Sequence, residues 1–214
     1  MTQQELLAAS SRVALAGLTH DLGKFAERAG LEPGAELLDA NLHQYARRQQ
    51  AGGRQWFTHR HAAYTAMAID LLERHFPHLK GADVAPFSAW EAPDVDDSLI
   101  NAAARHHKPE TALQWIIATA DRVASGFERE TFDRYNDAKE GSATGGDHFS
   151  SRQLTLFEQI QLDGAQVKQP ALKYRYALQP LSPTAIFPRL AKDCEPPKRE
   201  REKAKAQYRA LWDQ

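Results

Sequence analysis

A histidine and an aspartate stand side by side in an apolar stretch near the start of the chain. The pair is His20-Asp21, and the stretch is VALAGLTHDLGKF, residues 13–25. Burying an imidazole beside a carboxylate is costly unless something compensates, and a bound divalent cation is a common compensation. The pair therefore indicates one part of a metal-dependent hydrolase site, provided that the rest of the chain supplies further ligands.

Three later segments carry histidine or aspartate at the edge of an apolar helical face. In chain order these residues are His61, His106, His107 and Asp121. His61 is predicted to point inward with the apolar residues of its helix, whereas His59 is rotated away and is predicted to support the ligands or to lie at the surface. A single inward histidine is more often a hydrogen-bonded core residue, but the joint occurrence of these residues favours a metal site.

Six ligands of mixed imidazole and carboxylate type suit Mn, Fe, Co or Ni better than Zn, and Mg is also compatible with them. They suffice for one or two ions, with Asp21 bridging two ions at about 3.5–4 Å. A structural zinc site usually uses several cysteines, and the sequence has a single one, Cys194. Lys24, one helical turn after His20, is predicted to stabilise the charge of a substrate phosphate; a solvated surface lysine is the alternative.

Cations and aromatic side chains alternate shortly before His61. The candidate substrate-binding residues are Arg47, Arg48, Arg54 and Trp56. This pattern suits a single nucleic-acid strand, because its bases stack on aromatic rings and its phosphates bind arginine. The alternative is an ordinary solvated loop with its aromatic residues turned inward.

The candidate ligands are predicted to lie on four helices, over residues 4–29, 58–76, 97–107 and 109–130. Residues 31–57 are less regular. In the first helix, Gly17 is the predicted point of close approach and Gly30 the C-terminal stop. The predicted buried stripes are Ala14, Leu18, Leu22 and Phe25 in the first helix, and Leu113, Ile116, Ala120, Ala124 and Phe127 in the fourth.

The character of the sequence changes after the fourth helix. Residues 140–151 are rich in turn-forming residues, and short extended segments are expected over 153–161 and 171–181. The sequence thus predicts a mainly helical domain over 1–138, a linker with short β segments over 139–193, and a charged helical tail over 194–214.

The composition excludes some classes of protein. The 214 residues are 42% hydrophobic, which is enough for a core, and 27 Lys and Arg residues against 28 Asp and Glu residues give no overall basic field. The N-terminus lacks the apolar run of a signal peptide or membrane span. One cysteine excludes a disulfide framework and favours a cytoplasmic location.

The order of these ligands resembles that of the HD phosphohydrolase superfamily. More narrowly, the segments HDLGKFAERAG, HAAYTA, AARHHKPE and ADRVASGFERE resemble the N-terminal HD nuclease domain of the large, polymerase-like subunit of type III CRISPR interference complexes. In ordinary HD enzymes a further histidine precedes the HD pair. In the family that this chain resembles, a circular permutation places that histidine after the pair, and His61 is the corresponding residue here. LTLFEQIQLDG and KYRYALQPLSPTAIFP are similar to the segment that leads to the palm domains.

The resemblance implies a circularly permuted HD helical bundle that cleaves single-stranded DNA with bound metal. It also implies the other subunits of a guide-RNA complex as partners. A nucleotide phosphohydrolase of the wider superfamily and a catalytically weak scaffold module are the alternatives. Nothing resembles the palm motif that makes cyclic oligoadenylates, and Gly145-Gly146-Asp147 is predicted to be a turn. The end of the chain inside a charged helix predicts an excised N-terminal fragment.

Overall fold

The computed structural model describes most of the N-terminal part of the chain and separate segments of the C-terminal part. The described residues are 2–77, 87, 95–137, 152–155, 158, 173–180, 182–194 and 200–214, with side chains described only as far as Ser125 in the helix that ends at 137. They belong to two compact units, Met1–Gly126 and Phe127–Gln214. The predicted domain boundaries stay predictions, and the predicted turn at Gly145-Gly146-Asp147 lies outside the described residues.

The first unit is mainly helical, as predicted, and contains one two-stranded sheet. Its elements in chain order are α1 (Gln3–Thr19), α2 (Leu22–Arg28), α3 (Ala35–Tyr45), β1 (Arg47–Ala51), β2 (Arg54–Thr58), α4 (His61–His75), a 3₁₀ turn (Val95–Asp97), α5 (Leu99–Ala104), a second 3₁₀ turn (Arg105–His107) and α6 (Ala112–Asp137), of which residues 112–126 belong to this unit. Among the helices that the structure describes, none is long and apolar enough to cross a membrane.

The predicted first helix is in fact two helices, because the chain breaks at the His20-Asp21 pair. α1 ends at Thr19, and Asp21, with φ −103° and ψ 10°, precedes α2. The predicted buried stripe is wrong within α1, where Leu18 is 77% exposed and Ala16 is fully buried, whereas Leu22 in α2 packs partly buried against the core. Gly30 has a φ of 74° just after α2, which confirms it as the C-terminal stop.

The close approach predicted at Gly17 occurs at Gly23 instead. A Cβ atom placed on Gly17 would meet nothing within 4 Å, but one on Gly23 would lie 1.9 Å from the His61 carbonyl oxygen and 2.4 Å from the Thr65 nitrogen. The Gly23 N–H donates to Thr65 Oγ1 at 3.0 Å, and Thr65 Oγ1 donates to the His20 carbonyl at 2.8 Å. The backbone of α2 therefore rests directly on the first turns of α4.

The stretch predicted to be irregular, residues 31–57, contains α3 and most of a β-hairpin. β1 and β2 pair antiparallel from Arg47 opposite Thr58 to Ala51 opposite Arg54. Gly52 and Gly53 make the turn with φ values of 57° and 76°, the positive pair that a tight two-residue hairpin turn requires. The Gly-Gly pair was the available signal, but the flanking strands are too polar to show the usual apolar alternation.

The later helices differ from the prediction in their boundaries and phase. α4 starts at His61 rather than at Thr58, because Thr58 completes β2. Ser98 rather than Asp97 caps α5, accepting a hydrogen bond from the Asn101 N–H. In α6 the predicted stripe is confirmed at Leu113, which is buried, but wrong further along: Ile116 is 55% exposed, while Ile117 is buried. Asp121 therefore lies on the same face of α6 as the buried Ile117, one helical turn further along.

The core of the first unit joins α1, α4, α5 and α6. Its buried apolar residues include Ala16, Tyr45, Ala62, Ala66, Ile69, Leu99, Ile100, Ala103, Leu113 and Ile117. Many of these are alanines, so the helices pack closely where the candidate ligands emerge. Phe57 of β2 packs with Leu38 against a smaller cluster of Leu42, Ala46 and Ala63.

The second unit holds short extended and helical elements. β3 (Tyr174–Arg175) and β4 (Arg189–Leu190) pair antiparallel, and Leu154 makes an isolated bridge to Arg175. The predicted extended segments 153–161 and 171–181 are thus described only in part. A 3₁₀ turn (Pro183–Ile186), α7 (Ala191–Cys194) and α8 (Arg201–Trp212) follow, and α8 confirms the helix predicted in the charged tail.

We expect Gly23→Ala to lower the free energy of unfolding by at least about 2 kcal/mol, because the added methyl group must displace the α4 backbone. The matched control is Gly17→Ala, which meets no neighbour and should stabilise α1 by up to about 1 kcal/mol through higher helix propensity. Urea unfolding followed by circular dichroism measures both. Equal stability of the Gly23 variant and the wild type would contradict the close packing.

Candidate metal centre

The structure brings all six predicted ligand side chains together from four parts of the first unit. They come from the α1–α2 junction, the start of α4, the 3₁₀ turn after α5, and α6. His20 Nε2 lies 3.3 Å from Asp21 Oδ2 and 3.3 Å from Asp121 Oδ1. His61 Nε2 lies 3.4 Å from Asp21 Oδ1 and 2.9 Å from His107 Nε2. His106 Nε2 is 3.9 Å from Asp21 Oδ1.

Two overlapping groups of these residues could each hold a metal ion. One is His61, His106 and His107, and the other is His20, His106 and Asp121; within each group the ligand atoms lie within 4.8 Å of one another. Donors about 2.1 Å from a common ion are separated by roughly 3.0 Å in an octahedral site and 3.4 Å in a tetrahedral one. The closest separations in the cluster fall in this range, which supports the predicted metal site.

Three buried polar atoms at the centre of the cluster lack hydrogen-bond partners in the part of the chain that the structure describes. They are His20 Nε2, His106 Nε2 and Asp21 Oδ1. Each such atom costs about 1–3 kcal/mol when nothing satisfies it. Three potential ligand atoms converge there, and His20 Nε2, which carries a proton at pH 7, becomes an electron-pair donor when a cation displaces that proton, so the chemistry of the site agrees with a divalent metal.

Backbone hydrogen bonds hold the two buried histidines in the form that binds metal. His20 Nδ1 donates to the Gly17 carbonyl at 2.5 Å, and His106 Nδ1 donates to the Ala103 carbonyl at 2.7 Å. Because the proton sits on Nδ1 in both rings, the lone pair of each Nε2 faces the cluster. This arrangement fixes the tautomer and the orientation of a metal-binding imidazole.

The two oxygens of Asp21 face different neighbours. Oδ1 is on the side of His61 and His106, while Oδ2 is near His20 and 2.5 Å from Lys24 Nζ. A carboxylate can bridge two ions with oxygens divided in this way. Asp21 belongs to neither of the two ligand groups, so its bridging role and the number of ions stay predictions.

Burial sets the charge state of most of the cluster. It lowers the pKa of His61 to about 3, that of His106 to about 4 and that of His107 to about 2, so these rings are neutral at pH 7. Burial also opposes the charged form of His20, but the hydrogen bond and the negative charge of Asp21 outweigh it and raise the pKa of His20 to about 8. Although burial disfavours the Asp21 carboxylate, His20 and Lys24 hold its pKa well below its usual range.

Two residues that the sequence analysis left without a role orient the ligands. Ser125 Oγ donates to Asp121 Oδ1 at 3.0 Å, one turn further along α6. Thr65, which is fully buried, connects the His20 carbonyl to the Gly23 N–H. The four-residue spacing of Asp121 and Ser125 was a visible signal. The role of Thr65 depends on contacts between α2 and α4 that no spacing reveals.

Lys24 and His59 both lie at the rim of the cluster. The Lys24 side chain is 45% exposed and forms an ion pair with Asp21. His59 is exposed and has a φ of 56°, a left-handed conformation that is rare for a residue with a side chain. Its ring centroid lies 4.0 Å from that of His107. Since α4 begins only at His61, the helical phase that predicted His59 to turn away does not apply to it.

The four candidate substrate-binding residues lie on the hairpin rather than in a loop, and they divide between its two faces. Because side chains alternate along a strand, Arg47, Arg54 and Trp56 share one face and Arg48 lies on the other. Arg47 Nε donates to the His107 carbonyl at 2.6 Å. Arg48 donates to Gln55 on its own face. Trp56 is 44% exposed, so the aromatic residue is not turned inward.

Comparison with known proteins adds no relative. No family model, no curated protein and no solved structure matches the chain. The functional assignment therefore depends on the geometry and chemistry of the residues themselves.

We expect Ser125→Ala to weaken metal binding about 10- to 100-fold, because Asp121 loses the hydrogen bond that orients it. Ser11→Ala is the matched control, since Ser11 Oγ also bonds one helical turn back, to the Leu7 carbonyl at 2.9 Å, on an exposed part of α1. Isothermal titration calorimetry with Mn²⁺ measures both affinities. Equal affinities for the two variants would remove Ser125 from the site.

We expect Mn²⁺ binding at pH 7 to release about one proton, because His20 is the one histidine of the cluster whose pKa lies above 7. Apparent affinity should rise with pH through about 8, where His20 is half deprotonated, and flatten above that pH as His20 becomes fully neutral. Calorimetry in buffers of different ionisation enthalpy counts the protons. Release of none, or of several, would contradict these charge states.

Proposed function

We propose that the first unit is a metal-dependent phosphodiesterase that hydrolyses single-stranded DNA. The observation that carries this proposal is the convergence of His20 Nε2, His106 Nε2 and Asp21 Oδ1 on one buried point without partners in the described part of the chain. The arrangement is costly for folding and useful for holding a cation. We further propose, on the resemblance of its motifs, that the fold is a circularly permuted HD bundle of a type III CRISPR effector subunit.

The ligand set in this proposal comprises His20, Asp21, His61, His106, His107 and Asp121. It suits Mn, Ni, Co or Fe better than Zn, and it is compatible with Mg. A divalent ion held there would supply an easily deprotonated water and would neutralise the charge that develops on the phosphoryl oxygens. Hydrolysis forms one P–O bond from that water and breaks one P–O ester bond, so no oxidant or second substrate is required.

The residues of the chain contribute positioning and charge. The neutral rings of His61, His106 and His107 add ligand atoms without adding positive charge that would hold the substrate too tightly. Lys24 Nζ lies at the exposed rim of the site beside Asp21. From there its ammonium group can contact a phosphate oxygen of a bound strand, as the sequence analysis predicts. No serine or cysteine nucleophile is required.

The position of the hairpin favours a polymer over a mononucleotide as substrate. Its arginines and Trp56 are exposed, and Arg47 connects it directly to the carbonyl of His107. A mononucleotide phosphohydrolase needs an enclosed pocket for one base and one sugar. An open surface that leads to the ligands suits a strand that continues beyond the cleaved bond.

The test is hydrolysis of single-stranded DNA, single-stranded RNA and deoxynucleoside triphosphates by the full chain with Mn²⁺, Ni²⁺, Co²⁺ or Mg²⁺. We expect cleavage of single-stranded DNA, and a loss of at least about 100-fold in His20→Ala/Asp21→Ala, because two ligands disappear. The matched control is Asp70→Ala/Arg74→Ala, which removes an exposed aspartate–arginine pair near the C-terminal end of α4 that touches neither the cluster nor the hairpin.

The other outcomes would contradict the site or the function. Cleavage of DNA that persists in His20→Ala/Asp21→Ala would show that these residues do not form the active site. Hydrolysis of the triphosphates alone would identify a nucleotide phosphohydrolase. Metal binding without hydrolysis of any of these substrates would identify a scaffold module.

A further inference from the structure

The β-hairpin has two chemically distinct faces. Side chains that lie directly opposite each other on paired strands share a face, and successive residues alternate. The Trp56 face consists of Arg47, Gln49, Ala51, Arg54, Trp56 and Thr58, and the Phe57 face consists of Arg48, Gln50, Gln55 and Phe57. The two faces differ in what they contact.

The Phe57 face is the one that packs on the helical domain. Phe57 contacts the apolar cluster of Leu42, Ala46 and Ala63, and its ring centroid lies 4.9 Å from that of His43. On the same face Arg48 is bonded to Gln55. The Phe57 contacts fix the hairpin to α3 and α4, so the Trp56 face is the opposite, exposed face of the hairpin.

The Trp56 face combines an exposed aromatic ring with positive charge. Trp56 is 44% exposed, and both Arg47 and Arg54 are exposed. Residues 47–58 contain three arginines and no acidic residue, in a chain whose formal net charge is −1. Trp56 is too exposed to be a core residue. An exposed tryptophan between arginines suits a ligand that combines negative charges with groups that stack, as a nucleic-acid strand does.

The base of the Trp56 face ends at the candidate metal centre. Arg47 Nε donates to the His107 carbonyl at 2.6 Å, and the His59 ring, directly after β2, lies against the His107 ring. From Arg54 at the tip to Thr58 at the base, the strand extends about 14 Å. This distance is longer than one nucleotide, so a strand lying on this face would reach the ligands.

We propose that the Trp56 face is the track along which a DNA single strand enters the metal centre. Trp56 stacks on one base of the strand, and the guanidinium groups of Arg54 and Arg47 contact its phosphates on either side. The inference rests on the proposed nuclease function and adds the substrate path to it. The positive, aromatic character of the face selects a single strand over a duplex, whose bases are not free to stack.

The test measures binding of an oligodeoxythymidine strand by fluorescence anisotropy in the presence of a chelator, so that the full chain binds without turnover. We expect Trp56→Ala and Arg54→Ala each to weaken binding about tenfold, and Trp56→Phe to restore most of the loss, because a phenyl ring also stacks. A plot of log affinity against log salt concentration has a negative slope. Arg54→Ala should make this slope less steep by about 0.7, because one phosphate contact is lost, whereas Trp56→Ala should leave it unchanged.

The sharpest comparison is between the two faces. Arg48→Ala removes the same charge from the same hairpin but on the Phe57 face, and it should weaken binding several-fold less than Arg54→Ala. With Mn²⁺ present, Trp56→Ala should lower kcat/KM for DNA about tenfold more than that for bis(p-nitrophenyl) phosphate, which is too small to use the track.

The failure of this inference is distinguishable from the failure of the proposed function. If wild-type protein cleaves the strand but Trp56→Ala and Arg54→Ala bind it with wild-type affinity, the track is wrong and the nuclease stands. Equal losses for Arg48→Ala and Arg54→Ala, or tighter binding of duplex DNA or RNA than of the DNA strand, would also overturn the track. If no substrate is cleaved, the proposed function is wrong, and the fluorescence anisotropy measurements on Trp56→Ala and Arg54→Ala still decide whether the Trp56 face binds the strand.

Discussion

The candidate metal centre depends on the direct contact of two helix backbones at Gly23. Because this residue has no Cβ, α2 rests against the carbonyl of His61 and the amide of Thr65. The Thr65 hydroxyl then joins the two segments by accepting from the Gly23 N–H and donating to the His20 carbonyl. The absence of a side chain at Gly23 and the hydroxyl group of Thr65 together place the His20-Asp21 turn against the start of α4, where His61 lies.

The electrostatics of the cluster follow from that packing. Burial drives three of the histidines to their neutral form; it also opposes the charges of Asp21 and His20, but their mutual attraction and Lys24 keep Asp21 ionised and raise the pKa of His20. Such a group of converging lone pairs destabilises the fold unless a cation occupies it. Metal binding and folding are therefore linked, and a bound ion stabilises the unit according to its concentration and affinity.

Residue type and spacing were enough to predict the mainly helical fold and the six ligands that the structure brings together, because several histidines and aspartates beside apolar faces are costly to bury without a bound cation. Local geometry was not predictable from periodicity. The break at His20-Asp21 interrupts an apolar pattern that otherwise continues, and the hairpin strands are too polar to alternate. The close approach at Gly23 rather than Gly17 depends on which helix packs nearby, which is a tertiary property.

The central claim is that these six side chains form a metal centre, and anomalous diffraction from crystals grown with Mn²⁺ tests it most directly. If the cluster holds an ion, an anomalous peak lies within bonding distance of His106 Nε2, which both ligand groups share, and it disappears in His20→Ala/Asp21→Ala crystals. A cluster that stays free of anomalous density at saturating Mn²⁺, with peaks only elsewhere on the protein, would contradict the metal centre.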